Sequence, residues 1–193
     1  MTNPSEYKLI STIMKNKKKV YTLGPKGSFH HLACVEYLGG QQEIEFCESF
    51  AGVFEAVRAG HLGWIALYNS LAGIVENHEA EIEKNFTLLD EMDYEVKLCI
   101  CAAPKTKLND LTKLYSHEKA FGESKRFINE KLPNAELIKC PSTSHAAQKV
   151  AQEKEQNSAA ICHAETAKFY GLEILTNIPN KRKNETSFGL FAG

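Results

Sequence analysis

Arginine is scarce in this chain. Arg58, Arg126 and Arg182 are its three arginines among 23 basic residues, so a guanidinium fork for a carboxylate has few candidates. An excess of charge of one sign is missing too: 24 acidic residues leave a formal net charge of −1, and no overall positive field gathers nucleic acid or an anionic membrane surface. No apolar run approaches the roughly 20 residues that span a bilayer. The six cysteines (Cys34, Cys47, Cys99, Cys101, Cys140, Cys162) lack both the CxxC spacing of a zinc site and the density of a disulfide scaffold, and are expected as reduced core residues. Cys162-His163 is the one Cys/His neighbour pair, and adjacent residues on a strand point to opposite faces. No metal and no cofactor are therefore expected.

What is present reads as an ordinary globular chain, 43% hydrophobic and 24% charged. An apolar run from Val20 halts at Gly24-Pro25-Lys26-Gly27, and a periodic segment then begins at Ser28: strand, tight turn, helix start. Ser28 is expected as the N-cap, with Lys26 and the first-turn N–H groups facing one space, and Gly24 and Gly27 allowing positive φ and close backbone approach. Such a turn can cradle an anion. Leu32, Cys34, Val35 and Leu38 give the helix its apolar face, stopped by Gly39-Gly40. A short strand Ile44 to Cys47, a helix capped by Ser49 with Val53, Phe54 and Val57 inside, and a strand from Leu62 to Leu67 follow. That strand delivers Asn69-Ser70 at its C-terminal end, where ligands sit in open α/β sheets.

Phe86 to Cys101 alternates too irregularly for one strand, and its β-rich end, Val96 to Cys101, reads as a long connector into a second unit. Past it the pattern repeats: strand end Leu114-Tyr115, cap Ser116-His117, a helix through Phe121 and Phe127, strand Ala135 to Cys140, a helix opened by Ser142-Thr143-Ser144, and strand Ala159 to Cys162. Two parallel βαβαβ units are expected, each a three-layer α/β sandwich, with a cleft between them where the Ser-bearing turns meet a small anion. A last strand from Asn184 to Phe191 returns to the first lobe after the basic loop Lys181-Arg182-Lys183. The expected division is 19–92 plus 180–193 as one lobe, 93–179 as the other, and 1–18 as an extension. In that extension Leu9, Ile10, Ile13 and Met14 suit a short amphipathic helix. Lys15, Lys17, Lys18 and Lys19 follow the apolar residues, the reverse of a secretory signal, so a cytoplasmic protein is expected.

In order and spacing these residues resemble the prephenate dehydratase family over about 19–192. Gly24-Pro25-Lys26-Gly27-Ser28-Phe29 is similar to the family's Gly-Pro-x-Gly-Thr-Phe, and Tyr68-Asn69-Ser70 with Gly73 to its Glu-Asn-Ser turn. Ser116-His117-Glu118 resembles Ser-His-Pro, Ser142-Thr143-Ser144-His145-Ala146-Ala147 resembles Ser-Thr-x-x-Ala-Ala, Tyr170-Gly171-Leu172 matches Tyr-Gly-Leu, and Asn184-Glu185-Thr186-Ser187-Phe188 is similar to Asn-x-Thr-Arg-Phe. The resemblance implies two α/β lobes with a central cleft, like type II periplasmic binding proteins, and conversion of prephenate to phenylpyruvate in phenylalanine biosynthesis. It implies Thr186 as the catalytic hydroxyl, and Lys26, Ser28, Asn69, Ser70, Ser142, Thr143, Ser187 and Phe188 around a small dianion, prephenate or its aminated analogue arogenate. Three motif positions depart: Ser187 stands for Arg, Tyr68 for Glu and Glu118 for Pro. Arg182 is expected to replace the missing guanidinium. A non-aromatising prephenate decarboxylase of the same fold and a non-catalytic carboxylate binder are the alternatives. No stretch matches the family's ACT domain, so regulation by phenylalanine is not expected; a homo-oligomer, a dimer, is.

Overall fold

The computed structural model describes residues 18–39, 43–76, 78–180 and 182–193. The helix expected in the extension, Gly40 and Lys181 lie outside them. The chain divides into two compact units.

The first unit comprises the chain up to Gly24, His30–Tyr94 and Glu185–Gly193. Its strands are β1 (Val20–Leu23), β2 (Ile44–Cys47), β3 (Leu62–Asn69), β4 (Gly73–Ile74), β5 (Thr87–Glu95) and, last in the chain, β11 (Glu185–Ala192). They run in the order β2-β1-β3-β11-β5, with β4 pairing β3. β1 is parallel to β2 and β3, while β11 is antiparallel to β3. Alternation along β3 sends Trp64 to one face and Ile65 to the other. On the first face Trp64 stacks with Phe188 and with Tyr37 of helix α1 (Phe29–Leu38). On the second, Ile65, Leu67 and Phe191 meet Val53, Phe54 and Val57 of α2 (Phe50–Arg58) and Ile82 of α3 (Glu79–Asn85). Each large apolar side chain fully buried here is worth roughly 1.5–3 kcal/mol, which makes this pair of seams the main support of the unit. Ser49 caps α2, its Oγ accepting from Gly52 N at 3.3 Å.

The second unit comprises Pro25–Phe29 and Glu95–Asn184. Its strands are β6 (Cys99–Ala102), β7 (Lys113–Ser116), β8 (Glu136–Lys139), β9 (Ser158–Cys162) and β10 (Glu173–Asn177), in the order β10-β6-β9-β7-β8. β7 is parallel to β8 and β9, whereas β6 and β10 run antiparallel to their neighbours. Helix α4 (Glu118–Lys131) packs Phe121 and Ile128 on the face carrying Ile100, Leu114 and Ile161. Helices α5 (Thr143–Glu153) and α6 (Ala164–Phe169) cover Cys101, Tyr115 and Cys162 on the other. Both units are thus three-layered mixed α/β sandwiches.

Several expectations are corrected. The expected connector over 96–101 runs into strand β6 at Cys99, and Thr87–Glu95 before it is a nine-residue strand that was not expected; as the sheet's edge it leaves most side chains exposed, so it shows no buried face in the sequence. Ser116 is not a cap: it ends β7 fully buried, donating to Ile161 O at 2.8 Å. His117 caps α4 instead, through Lys119 N. The expected lobe limits shift as well, because Pro25–Phe29 and the residues to Asn184 group with the second unit.

Candidate active site

β3 ends in Asn69, whose amide is fixed at both ends. Its Oδ1 accepts from Leu71 N (3.0 Å) and Ala72 N (2.9 Å), closing the turn into β4. Its Nδ2 donates to Glu185 O (3.1 Å) and to Thr186 Oγ1 (3.0 Å). Ser70 doubles the tie, donating from N to Glu185 O and accepting from Glu185 N on Oγ, each at 2.9 Å. Thr186, 8% exposed, is the strand partner of Asn69. Because its hydroxyl oxygen accepts from Asn69, its proton is turned elsewhere, and no acceptor for it is found among the described residues.

Ser187 pairs with Tyr68 on the opposite face of the strands. Its Oγ lies 3.4 Å from Glu91 Oε2 on β5, and Tyr68 is 46% exposed. Two of the three departures from the family motif are therefore one cross-strand pair, on the reverse face from Thr186. Phe188 is 1% exposed, held by Trp64 and by the edge of the His30 ring. It is a core residue, contrary to its expected place against substrate; a ring in that seam fixes the strand that carries Thr186. His30 Nε2 accepts from Ala66 N at 3.2 Å, and burial draws its pKa down to about 4.

In the second unit the Gly-Pro turn is bound by its carbonyls. Lys26 O accepts from Ser144 Oγ (3.0 Å) and Tyr170 OH (2.9 Å), and Gly27 O from Thr166 Oγ1 (2.7 Å). Gly27 has φ +83, a conformation that favours glycine, and a Cβ there would stand 3.2 Å from Ser144 Oγ, a tight fit. Gly24 does not adopt positive φ, against expectation. Lys26 is exposed, while Ser28 is buried immediately before α1. Ser142 caps α5, its Oγ accepting from His145 N at 3.1 Å and meeting His145 Nδ1 at 2.8 Å; Thr143 is the first helical residue. Arg182 is exposed on the loop before β11.

Sequence reasoning missed Glu123. Asn184, buried at 1%, donates from Nδ2 to Glu123 Oε2 at 3.0 Å, and its carbonyl accepts from Val96 N. Burial pushes the Glu123 pKa up, and the Asn184 bond and Lys119 partly offset this. A lone Glu on an exposed-looking helix gives no signal of that role. His30, Glu91 and Thr166 were likewise unmarked by any motif.

Two mixed sheets between helices, with amide and hydroxyl groups gathered at strand ends, define a two-unit α/β protein. Comparison makes the assignment specific: the chain belongs to the prephenate dehydratase family, whose profile, PDT (Prephenate dehydratase), matches residues 20–192. It is 30% identical over 190 residues to the bifunctional chorismate mutase/prephenate dehydratase of Escherichia coli K12, covering 95% of this chain and 49% of the relative. The chain thus spans about half the length of the curated relatives it first matches. Among solved structures, GqqA, a novel type of quorum quenching acylase, superposes with TM-score 0.79 at 25% identity, over 91% of this chain and 64% of the other. The prephenate dehydratase of Arthrobacter aurescens, solved with L-Phe, gives 0.79 at 24% identity over 90% and 60%, a likeness of fold.

Proposed function

We propose that the protein is a prephenate dehydratase-like lyase that converts prephenate to phenylpyruvate with loss of carbon dioxide and water. Thr186 carries the reading. Losing the ring carboxylate together with the ring hydroxyl makes an aromatic ring, and the departing oxygen needs a hydrogen bond. The Thr186 hydroxyl, oriented by Asn69 and with its proton unclaimed among the described residues, supplies it. A threonine is a poor acid, so its part is positioning with partial proton donation. Lys26, Arg182, Ser28, Ser70 and the hydroxyls of Ser142 and Thr143 are assigned to the two substrate carboxylates. The six free cysteines fit a reducing cytoplasm. Exposed Tyr68, Leu71, Ile74 and Leu88 on the first unit support a homodimer, which sedimentation tests.

A non-aromatising prephenate decarboxylase is the second reading, favoured by the Ser187–Tyr68 pair beside Glu91 in place of the motif's charged residues. Incubation with prephenate and, separately, arogenate, following aromatic and non-aromatic products, distinguishes them. Phenylpyruvate or phenylalanine supports the dehydratase reading. A non-aromatic keto acid supports decarboxylation, and binding without product refutes both.

A further inference from the structure

We propose that Cys101 and Cys162, facing each other between β6 and β9, are a site of reversible disulfide formation by a peroxide-class oxidant. Antiparallel register sets Cys99 opposite Cys162 and Cys101 opposite Ala160, which puts three thiols on one face of the sheet. The Cys101 and Cys162 sulfurs are 3.2 Å apart, and Cys99 Sγ lies 3.3 Å from Cys162 O. A disulfide needs about 2.05 Å between sulfurs, so the two must close by roughly 1.2 Å; because the pair is diagonal across the ladder, the strands must draw together while the side chains rotate. The surroundings permit that rotation: Ala146, Ala147, Ala160 and Ala167 line the same cluster and offer only methyl groups. None of the residues assigned to substrate belongs to this cluster.

The step balances with hydrogen peroxide as the oxidant. The Cys162 thiol displaces water from the peroxide to become a sulfenic acid; the Cys101 thiol then attacks that sulfur, forming S–S and releasing a second water. Each sulfur gives up one electron, and both thiol protons leave in water. Hydrogen bonding among the three sulfurs, with burial added to it, holds both thiols protonated, which slows the first step, and burial restricts the oxidant to small molecules. The product ties β6 to β9, neighbours in the middle of the second sheet.

The test is peptide mapping of the full chain after exposure to hydrogen peroxide, with alkylation before and after reduction. The expected result is a Cys101–Cys162 linked peptide, a mass loss of two hydrogens and full return on dithiothreitol. Cys162→Ala and Cys101→Ala should each abolish that species, while Cys140→Ala leaves it. Oxidation confined to Cys47 and Cys140, a Cys162–Cys99 link, or Cys162 passing to sulfinic acid unlinked would overturn the proposal. Should a variant fail to fold, mapping of the unsubstituted chain still decides.

Discussion

Acid should weaken this protein through His30, and the size of the effect follows from one hydrogen bond. Nε2 must be unprotonated to accept from Ala66 N, so the ring is neutral with its proton on Nδ1. Protonation would remove the acceptor and set a charge between the Phe188 and Phe50 rings. The pKa accordingly falls from 6.5 to about 4 in the folded state. Above pH 6.5 the residue is neutral in both states and nothing is lost. Between 6.5 and 4 the unfolded chain binds a proton that the native state refuses, and stability falls as pH falls, by about 1.36 kcal/mol per unit. The loss from this group is roughly 2 kcal/mol at pH 5 and roughly 3 at pH 4, flat below. Urea unfolding followed by fluorescence of Trp64, the single tryptophan, measures it. His30→Gln keeps an acceptor for Ala66 N without titrating, so its stability relative to the unsubstituted chain should rise by about 2 kcal/mol on going from pH 7.5 to 5. His30→Phe leaves Ala66 N unpaired and should cost about 1–3 kcal/mol already at pH 7.5. A gap between the natural chain and His30→Gln that does not change with pH would refute a histidine held neutral by the fold.

Thr186→Ala should leave substrate affinity nearly intact and slow turnover, by at most about 2.7–4 kcal/mol of barrier; steady-state kinetics with prephenate would show an unchanged rate if the hydroxyl were idle. Glu123, its pKa raised, keeps its proton in the native state above the ordinary 4.5, so stability falls as pH rises through that window. Glu123→Gln should flatten this limb in urea titrations, and an identical slope would show the carboxyl to be solvated. Gly63→Ala places a methyl inside the Phe191 ring, which is fully buried, and should cost about 1–3 kcal/mol by thermal or urea unfolding. Arg182→Ala should weaken prephenate binding in calorimetry if that guanidinium meets a substrate carboxylate; unchanged affinity removes it from the site.

What was legible in the sequence is what local chemistry decides. Ser49 and Ser142 announce helix starts because a cap acts within three residues, and the buried runs Leu62–Leu67 and Ala159–Cys162 announce central strands. The motif residues Asn69 and Thr186 were visible, but the bond between them, 117 positions apart, was not. Ser116 and His117 are both plausible caps by type, and only the β9 carbonyl that takes the Ser116 proton separates their roles. Phe188 shared a motif with Thr186, yet one lies in a ring stack and the other at a strand end. β5 escaped notice because an edge strand with charged outer side chains looks like a loop.

The position of β11 dictates an order of assembly. β11, the last strand of the first sheet to be made, lies between β3 and β5, inside that sheet. During synthesis β3 and β5 therefore wait with open hydrogen-bonding edges while the residues of the second sheet are translated, and every strand of that sheet has already emerged by Asn177. Domains fold as their parts become available and long-range strand pairing is slow, so the second unit, translated later, is set to finish first. A chain stopped at Asn184 would carry a whole second sheet beside a split first one, and its two bare edges would make it prone to aggregate.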